Sequence, residues 1–235
     1  MPTFDPDAMS KTSNYAAPSR PRSALYFDIE TEGRQDALEL MDESEFAAPA
    51  TYKDPEKIAA KVAENKAKAL RDAALSAMTG RILVIAYATD DGEVQVIEGD
   101  EKKVVETFLI VAKQAINGGN RIFGYNVLGF DLPFIGQRAA ILGVQVPLAL
   151  YTFWRGRFQW AEHFVDLMEL FKFGHRDFKG YSLKNVARVM GLEFQKTGDG
   201  SAFSGLYRDD RDKALEYVKR DVECTRALAK RLYAI

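Results

Sequence analysis

The chain has 235 residues, 47% of them hydrophobic and 28% charged, with a formal net charge of −2 at pH 7. That is enough for one globular domain with a full core, and the longest apolar run, Ile82 to Ala88, is far too short to span a bilayer. The single cysteine, Cys224, excludes an internal disulfide and, with only two histidines in the chain, leaves no Cys/His zinc cluster, so a reducing, cytoplasmic setting is expected.

Residues 1–23 contain Pro2, Pro6, Pro18 and Pro21 and no hydrophobic stretch. They read as a mobile tail without a secretory signal. The next eight residues, Ala24 to Thr31, read as a buried strand over Leu25 to Glu30. Alternation of side chains puts Asp28 and Glu30 on one face, and Leu25, Phe27 and Ile29 on the other. Two like charges at the end of a core strand are costly unless something neutralises them. A divalent cation with hard oxygen ligands, Mg²⁺ or Mn²⁺, would do so. The same residues also suit a strand that ends at the surface with two acids opening a turn, and this segment leaves both readings open.

From Arg34 to Gly80 the chain is longer than a tight turn requires. Asp54 as N-cap, Pro55 at the first helical position, Glu56 in the first turn and Gly80 past the end predict a helix over Pro55 to Met78. Its apolar stripe, Ile58, Val62, Ala69 and Leu75, is thin and favours a solvated helix packed on the side of the domain over a substrate lid. Strands are expected at Arg81 to Ala88 and Glu93 to Ile97, a helix at Lys102 to Ile116, and a short strand at Arg121 to Phe123. The segment Gly124 to Asp131 then leads into a helix over Leu132 to Leu142. Pro133 suits its first turn, and the positive dipole end favours the Asp131 carboxylate. Taken singly, Asp131 is an ordinary N-cap.

Between Tyr151 and Arg188, seven Lys and Arg residues stand against four acids, and Tyr151, Phe153, Trp154, Phe158 and Trp160 interleave with them. Trp154, Arg155 and Trp160 are candidates for stacking on and pairing with single-stranded nucleic acid. The alternative is that the aromatics plug the core. A strand around Phe164 to Asp166 and helices at Leu167 to Lys172, Leu183 to Met190 and Asp212 to Tyr233 complete the pattern. In the last helix Tyr217 and Asp221 stand four residues apart and share one face. Strands followed by alternating helices predict an α/β sheet covered on both faces.

In this order, Phe27 to Thr31 (FDIET), Gly124 to Phe134 (GYNVLGFDLPF) and Tyr217 to Asp221 (YVKRD) resemble the three exonuclease motifs of the DEDD superfamily, in its tyrosine-bearing branch. The set most resembles the 3′-5′ proofreading domain of family B DNA polymerases and its stand-alone bacterial and phage forms. Tyr181 to Ala187, YSLKNVA, is similar to a helix those domains carry between the second and third motifs. The resemblance spans roughly Ala24 to Leu232. It implies an RNase H-like fold with a mixed five-stranded sheet, and one exonuclease domain over 24–235 with a helical insertion at about 34–80.

The resemblance also implies a site. Asp28 would bridge two divalent ions, Mg²⁺ or Mn²⁺. Glu30 and Asp221 would complete the position that activates water, and Asp131 would hold the second ion. Tyr217 would orient the attacking water, because a phenol with an ordinary pKa near 10 is a poor base on its own. Asn126 and Phe130 would lie near the terminal nucleotide, with Ile29 and Thr31 beside its sugar. The implied reaction is stepwise release of nucleoside monophosphates from the 3′ end of single-stranded DNA. Replication or repair proteins are the implied protein partners, and no membrane is involved. A net charge of −2 argues against binding through a basic surface, but two divalent ions would reverse that sign. Two other functions fit the same residues: an exoribonuclease that trims RNA 3′ ends, or a non-catalytic module that binds DNA ends or a replication partner.

Overall fold

A computed structural model describes residues 23–148, 150, 163–175, 180–192 and 203–233. The N-terminal tail to residue 22 and the three nucleic-acid candidates Trp154, Arg155 and Trp160 lie outside the described residues.

Among the described residues the strands are β1 (Ala24–Gly33), β2 (Gly80–Thr89), β3 (Gln95–Glu98), β4 (Arg121–Gly124) and β5 (Phe164–Asp166). The helices are α1 (Pro55–Asp72), α2 (Glu101–Asn117), α3 (Asp131–Ile141), α4 (Leu167–Lys172), α5 (Leu183–Val189), α6 (Phe203–Asp209) and α7 (Arg211–Tyr233). The sheet order is β3-β2-β1-β4-β5. Strands β1, β2 and β3 pair antiparallel, and β4 and β5 run parallel to β1, so the sheet is mixed, as the sequence motifs imply.

Alternation along β1 feeds two cores. Leu25, Phe27 and Ile29 pack with Val104, Val105 and Phe108 of α2 and Leu132 and Ile135 of α3. Ala24 and Tyr26 pack on the opposite face with Val186 of α5, Phe203 of α6 and Ala214, Val218 and Val222 of α7. Helix α7 stays on that face because its buried positions, Ala214, Tyr217, Val218, Asp221, Val222, Cys224, Thr225, Leu228 and Ala229, recur at helical spacing. The carboxylates of Asp28 and Glu30 therefore point from the sheet toward α7.

Two irregularities prepare the end of β1. Strand β4 pairs only with Ala24 to Tyr26, so Phe27 onward has β2 on one side and no parallel neighbour on the other. On the β2 side the register slips between Glu30 and Thr31, which face Val84 and Ile82. Beside this bulge the Ile82 N–H donates to Glu101 Oε1 at 2.8 Å. The fully buried Arg138 of α3 donates to both Glu101 oxygens, at 2.8 and 2.7 Å, and to the Ala77 carbonyl at 3.0 Å. One buried ion pair thus ties α2, α3 and the bulge together.

The segment between β1 and β2 carries α1, which starts at Asp54 as N-cap with Pro55 in its first turn. It ends at Asp72 rather than near Met78, and Ala73–Leu75 form a 3₁₀ turn. Two threonine hydroxyls account for the earlier stop. Thr31 Oγ1 donates to Ala74 O at 2.7 Å, and Thr79 Oγ1 donates to Ala73 O at 3.0 Å, drawing these carbonyls off the helical ladder. No α1 residue is buried. The helix leans instead on a second 3₁₀ turn, Glu43–Phe46, where Asn65 Nδ2 donates to Phe46 O and Lys66 lies over the Phe46 ring.

Candidate active site

Three carboxylates converge where β1 meets α7. One oxygen each from Asp28, Glu30 and Asp221 lies within 4.8 Å of the other two. Asp28 is half-buried, and Glu30 and Asp221 are 7% and 4% exposed. Strand alternation supplies the first two, and α7 brings the third from 191 residues beyond Glu30. Carboxylates this close, two of them nearly dry, repel one another unless a cation compensates them. Their all-oxygen donor set fits a hard divalent ion such as Mg²⁺ or Mn²⁺.

Tyr217 lies one turn before Asp221 on the buried face of α7. Its ring meets that of Phe203 on α6 at 6.0 Å between centroids. Asp131 stands outside the acidic triangle. It is 3% exposed at the first position of α3, and its Oδ1 accepts the Ile29 backbone N–H at 3.2 Å. That N–H lies on β1 beyond the residues paired with β4. Burial pushes the Asp131 carboxyl up to about 7, against backbone hydrogen bonds that pull it down.

The loop before α3 is fixed in place by Asp166, at the end of β5. Its carboxylate accepts from Asn126 N at 3.0 Å and Leu128 N at 3.1 Å while also capping α4 through Met168 N and Glu169 N. Asn126 takes a positive φ of 60°, a conformation asparagine tolerates better than most residues. Gly124 is required just before it, since a Cβ there would lie 1.9 Å from Val127 Cγ1. Phe130 is half-buried against the core and 5.4 Å from the Phe134 ring. The Ile29 side chain is core, and the Thr31 hydroxyl is taken up by Ala74, so β1 presents Ile29 to the site through its backbone.

A family model described as the RNase H superfamily matches residues 73–233. The chain belongs to that superfamily. A DNA polymerase of Archaeoglobus fulgidus is 27% identical over 158 residues, which cover 64% of this chain and 20% of that protein. A solved family B DNA polymerase from the hyperthermophilic archaeon Pyrobaculum calidifontis shares the fold, with a TM-score of 0.57 and 23% identity, covering 90% of this chain and 24% of that one. This RNase H-superfamily chain therefore spans about a fifth of its polymerase relative.

Sequence reading missed three parts of the site. Asp166 was legible only as a strand end, although the run Asp166-Leu167-Met168-Glu169 has the spacing of a helix start. Helix α6, Phe203–Asp209, was not anticipated. Glu32 continues the row of Asp28 and Glu30 on the same face, and a third alternating acid in FDIETE was the available clue.

Proposed function

We propose that this chain is a metal-dependent 3′-5′ exonuclease acting on single-stranded DNA. The observation that carries the proposal is the meeting of Asp28, Glu30 and Asp221 within 4.8 Å. Membership of the RNase H superfamily and likeness to DNA polymerases support it.

In this reading Asp28, Glu30 and Asp221 would hold Mg²⁺ or Mn²⁺, and Asp131, which accepts the Ile29 N–H at the open edge of β1, would hold a second ion. Divalent ions, when bound, stabilise charge at phosphorus and ease deprotonation of water. The chain supplies the rest. Tyr217 orients the attacking water with its hydroxyl. The Asn126–Phe130 loop, held by Asp166, receives the terminal nucleotide beside the Ile29 backbone. Water adds to phosphorus, the bond to the 3′ oxygen of the preceding nucleotide breaks, and that oxygen takes up a proton. The products are a nucleoside 5′-monophosphate and a strand one residue shorter with a 3′ hydroxyl.

The test is a time course on single-stranded DNA labelled at the 5′ or the 3′ end, with Mg²⁺, Mn²⁺ or EDTA, and a parallel RNA strand of equal sequence. A ladder from the 5′ label, immediate mononucleotide from the 3′ label and silence in EDTA are expected, with RNA slower. Faster digestion of RNA would move the assignment to an exoribonuclease. No digestion of either strand would leave only a binding module.

A further inference from the structure

We infer that Arg208 and Arg81 form a phosphate clamp at the mouth of the acidic triad, with Glu32 holding both; the inference rests on the nuclease reading and adds a substrate contact to it. Glu32 lies two residues beyond Glu30 on the same face of β1, about 7 Å along the strand. Arg81 is its direct partner on β2, and Arg81 Nε donates to Glu32 Oε1 at 2.7 Å. Arg208 approaches from α6, and its Nη1 donates to Glu32 Oε2 at 3.3 Å.

Burial separates the three side chains. The Glu32 side chain is 11% exposed, whereas those of Arg81 and Arg208 are 51% and 67% exposed. One guanidinium is enough to neutralise a single carboxylate. The second leaves the trio with one net positive charge, and both planar forks face solvent beside a site that must receive a polyanion. Such forks match the oxygens of a phosphodiester.

Helix α6 is held firmly enough to aim Arg208. Tyr207 donates its hydroxyl to Glu98 Oε2 at 2.6 Å, and Arg211 Nε donates to the same oxygen at 3.1 Å. Phe203 anchors the start of the helix under Tyr217. Of the two acids that follow Arg208, Asp209 is exposed and Asp210 caps α7 by accepting from Lys213 N. The same short helix therefore supports the α7 tyrosine and presents the cation.

The experiment measures Kd for a 5′-labelled oligothymidylate by fluorescence anisotropy, with hydrolysis blocked by D28N, from about 50 to about 200 mM salt. R208A and R81A should each weaken binding several-fold and flatten the plot of log Kd against log salt by about 0.7, the share of one contact to a single strand. R208K should restore the slope because it restores the charge. Wild-type Kd and slope in both alanine variants, with a lowered Tm, would reduce the trio to a structural ion pair and overturn the clamp alone. A protein that carries only D28N and does not bind the strand, while the wild type does not cut it, would overturn the clamp together with the nuclease reading.

Discussion

The backbone N–H of Ile29 and the carboxylate of Asp131, 102 residues apart in sequence, are joined by a 3.2 Å hydrogen bond where the parallel neighbour of β1 has run out. Asp131 thus takes the place of a missing strand, closing the ladder with a side chain. Replacing it should separate structure from chemistry. D131A strands a buried N–H and should cost about 1–3 kcal/mol. D131N keeps an acceptor and loses a carboxyl whose ionisation burial opposes, so in metal-free buffer it should melt no lower than the wild type. Thermal melts of the two variants in EDTA check this, and both should lose nuclease activity.

The Arg138–Glu101 pair should matter to stability more than to the reaction. The Arg138 side chain is 1% exposed and that of Glu101 11%, and Glu101 also accepts the Ile82 N–H beside the bulge. Breaking it with R138M leaves a buried carboxylate alone, which should cost about 3–5 kcal/mol. E101Q keeps an acceptor for Ile82 N and should cost less. Denaturant unfolding of the two single variants and the double variant would expose the coupling as non-additivity.

Asp166 should give stability a pH dependence. Burial raises its pKa above the ordinary carboxylate value, despite four backbone N–H donors that pull it down. The folded state then holds the proton more tightly than the unfolded one. The contribution is full below the unfolded pKa of about 3.9 and is lost as pH rises through the folded value. D166N should flatten that fall. It should also loosen the Asn126–Phe130 loop, because an amide cannot accept all four donors, and so raise KM more than it lowers kcat. Urea melts across acidic pH and steady-state kinetics read the two effects separately.

Gly124 should not tolerate a methyl group. A Cβ there would fall 1.9 Å from Val127 Cγ1, and Val127 is fully buried with a stiff side chain. G124A should cost about 1–3 kcal/mol, and G124A/V127A should recover part of it by removing the obstructing methyl. Tm values of both variants test the packing.

The long helices were legible from their periodicity, and short elements were legible too. Phe164–Asp166 and Leu167–Lys172 have the expected limits, and β1 runs a few residues past Glu30. Helix α1 stops early because the next carbonyls along the chain, those of Ala73 and Ala74, accept from Thr79 and Thr31, a tertiary effect invisible in propensity. Its thin apolar stripe fits a solvated helix, and no α1 residue is buried. Ile58 is 37% exposed and Leu75 67%, since the helix packs on a local turn rather than on the core. For the site, spacing alone grouped Asp28 with Glu30 and Tyr217 with Asp221. The family resemblance joined the two groups and added Asp131; the fold brings Asp28, Glu30 and Asp221 within 4.8 Å and leaves Asp131 outside that triangle, and the support from Asp166, Glu32 and α6 became visible only there.

The most direct test compares the rate of mononucleotide release from a 5′-labelled single strand in Mg²⁺ by wild type, D28N and D221N, with folding matched by circular dichroism. The account predicts a loss of at least about 10²–10³-fold in each variant, the scale seen when one preorganised charge-stabilising group is removed. Wild-type rates in both variants would contradict it, for then the carboxylates of β1 and α7 would meet without doing the chemistry.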